Sequence, residues 1–180
     1  MGLSLVTIRN GNRADRFEVG SYSFFNHLRA VLVLLFVRTA WQIEDLSDAE
    51  RDGIQNILGW LDLEAHGIDV WETEVCEEDI DRVLHNTKPI YIYRDHIPGG
   101  NLGMQKIVVG SDLHIAAIGL WKLATHSECD GFLSPGDVAD VSAMFRLIKC
   151  PGTIPEHEAI TVLSEFFTSA AEQHLMVLFA

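Results

Sequence analysis

The sequence predicts an α+β domain, a helical core of about five helices with a small antiparallel sheet. Three observations carry this prediction. Apolar residues recur at helical spacing through most of the chain, and short β-type runs stand near both ends. The 180 residues are also 48% hydrophobic, enough to bury one sizeable core. That length suits a single domain spanning 1–180.

Leu3 to Arg9 has the pattern of a strand, with Leu3 and Leu5 on one side. Asn10-Gly11-Asn12 follows with turn residues, which leaves a hairpin and a plain loop both open. Gly20-Ser21 marks a helix entry. Beyond it Phe25, Leu28, Leu32 and Leu35 recur at helical spacing, and Phe24, Val31, Val33, Leu34 and Phe36 widen the stripe almost all round. A helix apolar on nearly every side belongs at the centre of a domain.

Ser47 with Glu50 three residues on is a capping-box pattern, and Ile54, Ile57, Leu58 and Leu61 continue on one face. This predicts a second helix from about Asp48 to Leu61. Asp62 to Asp81 holds nine acidic side chains and no Lys or Arg. The end of that stretch, Cys76 to His85, has a short helical pattern with Ile80, Val83 and Leu84 inward, stopped by Lys88-Pro89. Ile90 to Tyr93 is a short β-type run, and Pro98-Gly99-Gly100-Asn101 has loop composition.

Leu113 to Thr125 is the next helix. Ser134 as cap and Pro135 at the first helical position start another, with Val138, Val141, Phe145 and Ile148 as its stripe. After a connector from Pro151 to Pro155, Glu156 to Gln173 forms the last helix and Leu175 to Phe179 a closing strand. The two terminal strands are candidates to pair, which would tie both chain ends into one sheet.

Charge and cysteine content narrow the function classes. A formal net charge of -13, from 26 acidic and 13 basic residues, argues against unspecific nucleic-acid binding and is compatible with a basic partner. Cys76, Cys129 and Cys150 offer neither a disulfide framework nor a CxxC pair, the pattern of reduced thiols in a cytoplasmic protein. Met1 to Leu5 lacks the basic and long apolar segments of a signal peptide. Val6 stands where a myristoylation motif wants Ser or Thr. The longest apolar run, Ala30 to Val37, is too short to span a bilayer, so no membrane partner is expected.

Two constellations are candidates for chemistry. His126 to Asp137 follows the spacing of an EF-hand loop with Gly131 at position 6. His126, Glu128, Asp130 and Asp137 then fall at positions 1, 3, 5 and 12 as candidate ligands for a divalent metal. Two departures count against calcium: His126 offers nitrogen, which suits transition metals, and Asp137 is shorter than the usual bidentate Glu. The plainer alternative is a tight interhelical turn in which Gly131 takes a positive φ and Ser134 caps the next helix.

The second constellation is Ser21, Tyr22, Ser23, Asn26 and Arg29. Small hydroxyls at a helix start can hold an anion through free backbone N–H groups, and Arg29 would add charge. Its plainer alternative is an N-capped buried helix. With His126, Glu128 and Asp130 these residues form the candidate ligand-binding set. No catalytic residue is assigned. His157-Glu158 lacks the second His of a zinc-protease motif, no Ser–His–Asp or Cys–His set can be assigned, and Cys129 lies among acidic neighbours that disfavour a thiolate. The acidic stretch 62–81 is a docking face for a basic partner, a DNA mimic or a solvated surface, and an exposed tryptophan there would favour an interface.

Met1-Gly2-Leu3, Gly20-Ser21-Tyr22-Ser23 with Phe25-Asn26 and Arg29, and His126-Ser127-Glu128-Cys129-Asp130-Gly131 with Leu133-Ser134-Pro135 together resemble a family of small bacterial and phage proteins. Members of that family carry a GSYS-type helix start and an HSDCDG-x-L-S-P-type loop. Here Glu128 replaces the usual Asp, and Gly136-Asp137 replaces an acidic pair. The resemblance implies that the two motifs belong together and line one pocket, in a bacterial or phage setting. It brings no established activity.

The leading expectation is a non-enzymatic binding protein of bacterial or phage origin, sequestering a small signalling ligand or blocking a host or defence protein. One alternative is an acidic protein of immunity or inhibitor type that binds a basic partner through residues 62–81. Another is a metal-dependent enzyme using the 126–137 loop, the only reading that calls for a cofactor, a divalent metal. Self-association as a homo-oligomer is left open.

Overall fold

A computed structural model describes residues 3–93, 97, 103–126 and 131–180. The chain opens as a hairpin: β1 (Leu3–Arg9) pairs antiparallel with β2 (Asn12–Gly20). Asn10 at φ 50° and Gly11 at φ 79° form the two-residue turn between Arg9 and its partner Asn12. A left-handed Asn-Gly pair matches the twist of the flanking strands, and it decides for a hairpin over a plain loop.

Ser21 caps α1 (Tyr22–Trp41) by accepting the Phe24 N–H at 3.2 Å. Residues 30–37 are all buried, and the helix packs against α2 (Asp48–Leu58), α3 (Glu77–Leu84), α4 (Asp112–Thr125), α5 (Pro135–Leu147) and β2. It has the length and apolarity to cross a membrane, but 72% of its most apolar window is buried inside the protein. Here the apolar surface is covered by the protein's own helices, each fully buried Leu or Phe contributing about 1.5–3 kcal/mol.

Ser47–Glu50 forms the expected capping box on α2, and Ser134–Asp137 forms another on α5. Helix α2 stops at Leu58, with Gly59 as its C-cap, three residues short of the expected end. Helices α4 and α5 approach closely at Gly119, where a Cβ would lie 2.1 Å from the Asp140 carbonyl oxygen.

After α6 (His157–Glu172), β4 (Met176–Phe179) returns beside β1, with Leu5 opposite Phe179. The two-residue β3 (Phe132–Leu133) pairs with β4, completing the antiparallel order β2-β1-β4-β3. The described residues thus form six helices and a four-stranded sheet that includes both terminal strands.

Ile90–Tyr93 does not join that sheet. Ile92 makes an isolated bridge with Leu61, and Asn26 of α1 accepts the Ile92 N–H at 3.1 Å. The run has a β-type sequence, but its hydrogen-bond partners are the Asn26 and His27 side chains of α1 and the main chain of Trp60 and Asp62. The Pro98–Asn101 loop lies outside the described residues.

Candidate functional site

The α1 entry and the end of α4 meet beside the end of β4. Ser21 Oγ lies 3.0 Å from Ser23 Oγ, so the two hydroxyls engage each other as well as the helix cap. Asn26 is spent on Ile92, and Tyr22 is partly buried against the core. Arg29 is 2% exposed. Its Nη1 donates to the His126 carbonyl at 3.0 Å and lies 3.3 Å from that of Ala124 and 3.4 Å from that of Leu123. Its guanidinium carbon stands 4.8 Å from the centre of the Phe25 ring. A cation at a helix C-terminus satisfies orphan carbonyls and opposes the negative end of the dipole.

His126 stacks on Phe179 at 3.8 Å between ring centres and 14° between planes. Gly131 takes the expected positive φ, 118°, and a Cβ there would come within 3.3 Å of the imidazole. The Phe179 N–H donates to the Gly131 carbonyl at 3.2 Å. The two motifs do therefore meet, through Arg29 and His126. Glu128 and Asp130, with Ser127 and Cys129, lie outside the described residues.

Asp137, the candidate ligand at position 12, has both carboxylate oxygens engaged. One accepts from the Ser134 N–H at 2.9 Å and the Ser134 hydroxyl at 2.7 Å; the other lies 2.6 Å from Lys122 Nζ. Lys122 also reaches Asp140 at 2.7 Å, tying α4 to α5. Burial pushes the Asp137 carboxyl up, but Lys122 and Ser134 outweigh it and hold it below the usual range. Among the described residues no group of three or more His, Cys, Asp or Glu is placed to hold a metal ion.

A partly buried histidine, His27, also stands in the first turns of α1. His27 Nε2 lies 2.7 Å from Glu156 Oε1, and Nδ1 lies 3.1 Å from both the N–H and the carbonyl of Ile90. The Glu156 hydrogen bond raises the imidazole pKa against the opposing effect of burial. Nothing local in the sequence marks this pair, because 129 residues separate its members. The two described thiols are poor nucleophiles: a hydrogen bond to Glu78 holds Cys76 protonated, and burial does the same for Cys150.

An open concave surface borders the acidic stretch. Trp71 is 72% exposed, whereas Trp60, eleven positions earlier, is 2% exposed. Trp71 rests on Gly59, where a Cβ would lie 2.6 Å from its ring. Asp69 holds the turn beneath it by accepting the Trp71 N–H at 2.9 Å and the Glu72 N–H at 3.2 Å. Gln55 donates to the Val70 carbonyl at 3.0 Å.

The indole borders two clefts. The first, about 530 Å³, runs from Trp41 past Gln55 to Cys76 and carries four carboxylates, Asp52, Glu72, Glu74 and Glu77, against one cation, Arg51. Of these carboxylates, Asp52 is paired with Lys106, and Glu77 accepts from Gln42 at 2.9 Å. The second, about 350 Å³, has Asp62, Glu64 and Asp69 and no basic side chain in its lining. An exposed indole between carboxylates presents a π face and negative charge to the same incoming cation. No family model, curated protein or solved structure matches the chain.

Proposed function

We propose that this chain is a non-enzymatic interaction protein of immunity or inhibitor type that binds a basic protein partner through the Trp71 face. One observation carries the proposal: a tryptophan 72% exposed stands between two clefts whose charged side chains are, Arg51 apart, all carboxylates. Tryptophan and arginine are the side chains most enriched among residues that dominate binding energy. An arginine or lysine of the partner would lie on the indole with its charge toward Glu72, Glu74 or Asp69.

The candidate set at the α1 entry ranks second. Its Asn26 and Arg29 side chains hydrogen-bond main-chain groups of this same chain, and Ser21 caps its own helix. These bonds support a role in holding the fold.

An arginine-rich peptide titrated into the protein, followed by tryptophan fluorescence, tests the proposal. The expected result is a complex that weakens as salt rises, because the screening length falls from about 8 Å at 0.15 M to about 3 Å at 1 M. Binding should also be lost in Trp71→Ala. Affinity indifferent to both salt and that substitution would remove the proposal.

A further inference from the structure

We propose that β2 pairs with β2 of a second copy of this chain, antiparallel about a two-fold axis at Phe17, with Arg16 of each copy opposite Glu18 of the other. Strand β2 is one edge of the sheet, β3 being the other among the described residues, and most of β2 is exposed. Its hydrogen-bonding direction follows from β1. The Ser4 N–H and carbonyl both bond Ala180, at 2.8 and 2.9 Å, so the Ser4 main chain faces β4. In an antiparallel ladder these directions alternate along a strand. Glu18, opposite Ser4, and Arg16, opposite Val6, therefore turn their main-chain N–H and C=O groups outward to the free edge. Phe17, opposite Leu5, turns its own inward to β1.

The register shifts between Leu3 and Ser4 and between Val6 and Ile8 break the ladder at both ends of this segment. Bulges of this kind blunt an edge against long strand additions. What they leave regular is the three-residue window Arg16–Phe17–Glu18. A second copy fits that window by symmetry. Within one copy Arg16 Nε already lies 2.5 Å from Glu18 Oε1. Rotation about Phe17 sets the other copy's Glu18 against each exposed Arg16 as well, so two further opposite-charge contacts form across the axis and no like charges face each other across it. It also brings Phe17 against its counterpart as a non-hydrogen-bonded pair, the closer of the two antiparallel spacings. On the helix-covered face Phe17 already packs on Phe166 at 6.0 Å, and Val162, one turn earlier in α6, is 41% exposed. These side chains give the contact an apolar centre beside its main-chain bonds.

Strand β2 enters α1 at its first turn, whereas Trp41, which lines the larger acidic cleft, ends that helix. A helix of 20 residues separates the two by about 30 Å. The pairing leaves the Trp71 faces of both copies open.

Light scattering after size exclusion, on the wild-type chain and on Arg16→Glu and Glu18→Arg, tests the pairing. The wild type should run at twice the chain mass. Each variant alone should run at the single mass, since each sets like charges across the axis. A one-to-one mixture of the two variants should recover the double mass, because positions 16 and 18 are then both acidic in one copy and both basic in the other, which restores opposite charge at both pairs. Recovery also shows that both variants fold. Amide exchange at Arg16 and Glu18 should slow as wild-type concentration rises, with Phe17 unchanged. A wild-type chain at single mass up to its solubility limit would overturn the proposal. So would a double mass retained by both variants alone, or a mixture that stays single.

Discussion

Arg29 Nη1 donates to the carbonyl oxygen of His126 at 3.0 Å across 97 residues of sequence. The same nitrogen lies within 3.4 Å of the Leu123 and Ala124 carbonyls, so one buried guanidinium closes the C-terminus of α4 and holds the main chain of His126. Arg29→Met would leave those carbonyls in an apolar setting. An unsatisfied buried polar group costs about 1–3 kcal/mol, so the expected loss is about 3 kcal/mol of unfolding free energy, read from the urea midpoint at unchanged slope. Arg29→Lys should recover only part of it, since an ammonium lacks the planar fork. A loss under about 1 kcal/mol would show that the guanidinium is not what holds this end of α4.

Gly119 allows α4 to sit directly on α5. A Cβ there would come within 2.1 Å of the Asp140 carbonyl oxygen, which is helix backbone and not a side chain that can swing away. Gly119→Ala should force the helices apart and destabilise by about 1–3 kcal/mol, despite alanine's better helix propensity. Gly152→Ala, with open space around the position, serves as the control and should be near neutral. Equal thermal midpoints for the two variants would contradict the close approach.

The His27–Glu156 pair predicts the sign of a pH dependence. The folded pKa of His27 is raised, chiefly by the Glu156 hydrogen bond. Its stabilisation is therefore fully present below the unfolded value of about 6.5 and is lost as pH rises through the folded pKa. The wild type should lose stability over that window relative to His27→Gln, whose side chain does not titrate. Denaturant midpoints measured across neutral and mildly alkaline pH check this, and parallel curves for the two proteins would refute it.

Trp71→Ala should separate binding from folding. The indole is mostly exposed, so stability should change by no more than about 1 kcal/mol. Affinity for an arginine-rich peptide should fall by about 2 kcal/mol or more, roughly 30-fold in Kd. Gly59→Ala, which intrudes on the indole from below, should weaken the same complex by displacing the ring. Full affinity in both variants would place the contact elsewhere.

Local chemistry was enough to determine much of the fold. Ser21, Ser47 and Ser134 mark three helix starts because capping is settled within four residues. Asn10-Gly11 marks the turn because only such residues take positive φ at little cost. The nearly all-round apolar surface of α1 placed it at the centre, and the β-type runs at the two ends placed the sheet. Tertiary structure alone decided which polar and aromatic groups face outward. Trp60 and Trp71 border the same acidic stretch, yet one is buried and the other stands clear on Gly59. Asn26, Arg29 and His27 look available on the helix pattern, but Ile92, His126 and Glu156 engage them across 66, 97 and 129 residues. Capping and periodicity act over a few residues and can be written in a short segment, whereas exposure depends on what the rest of the chain brings alongside.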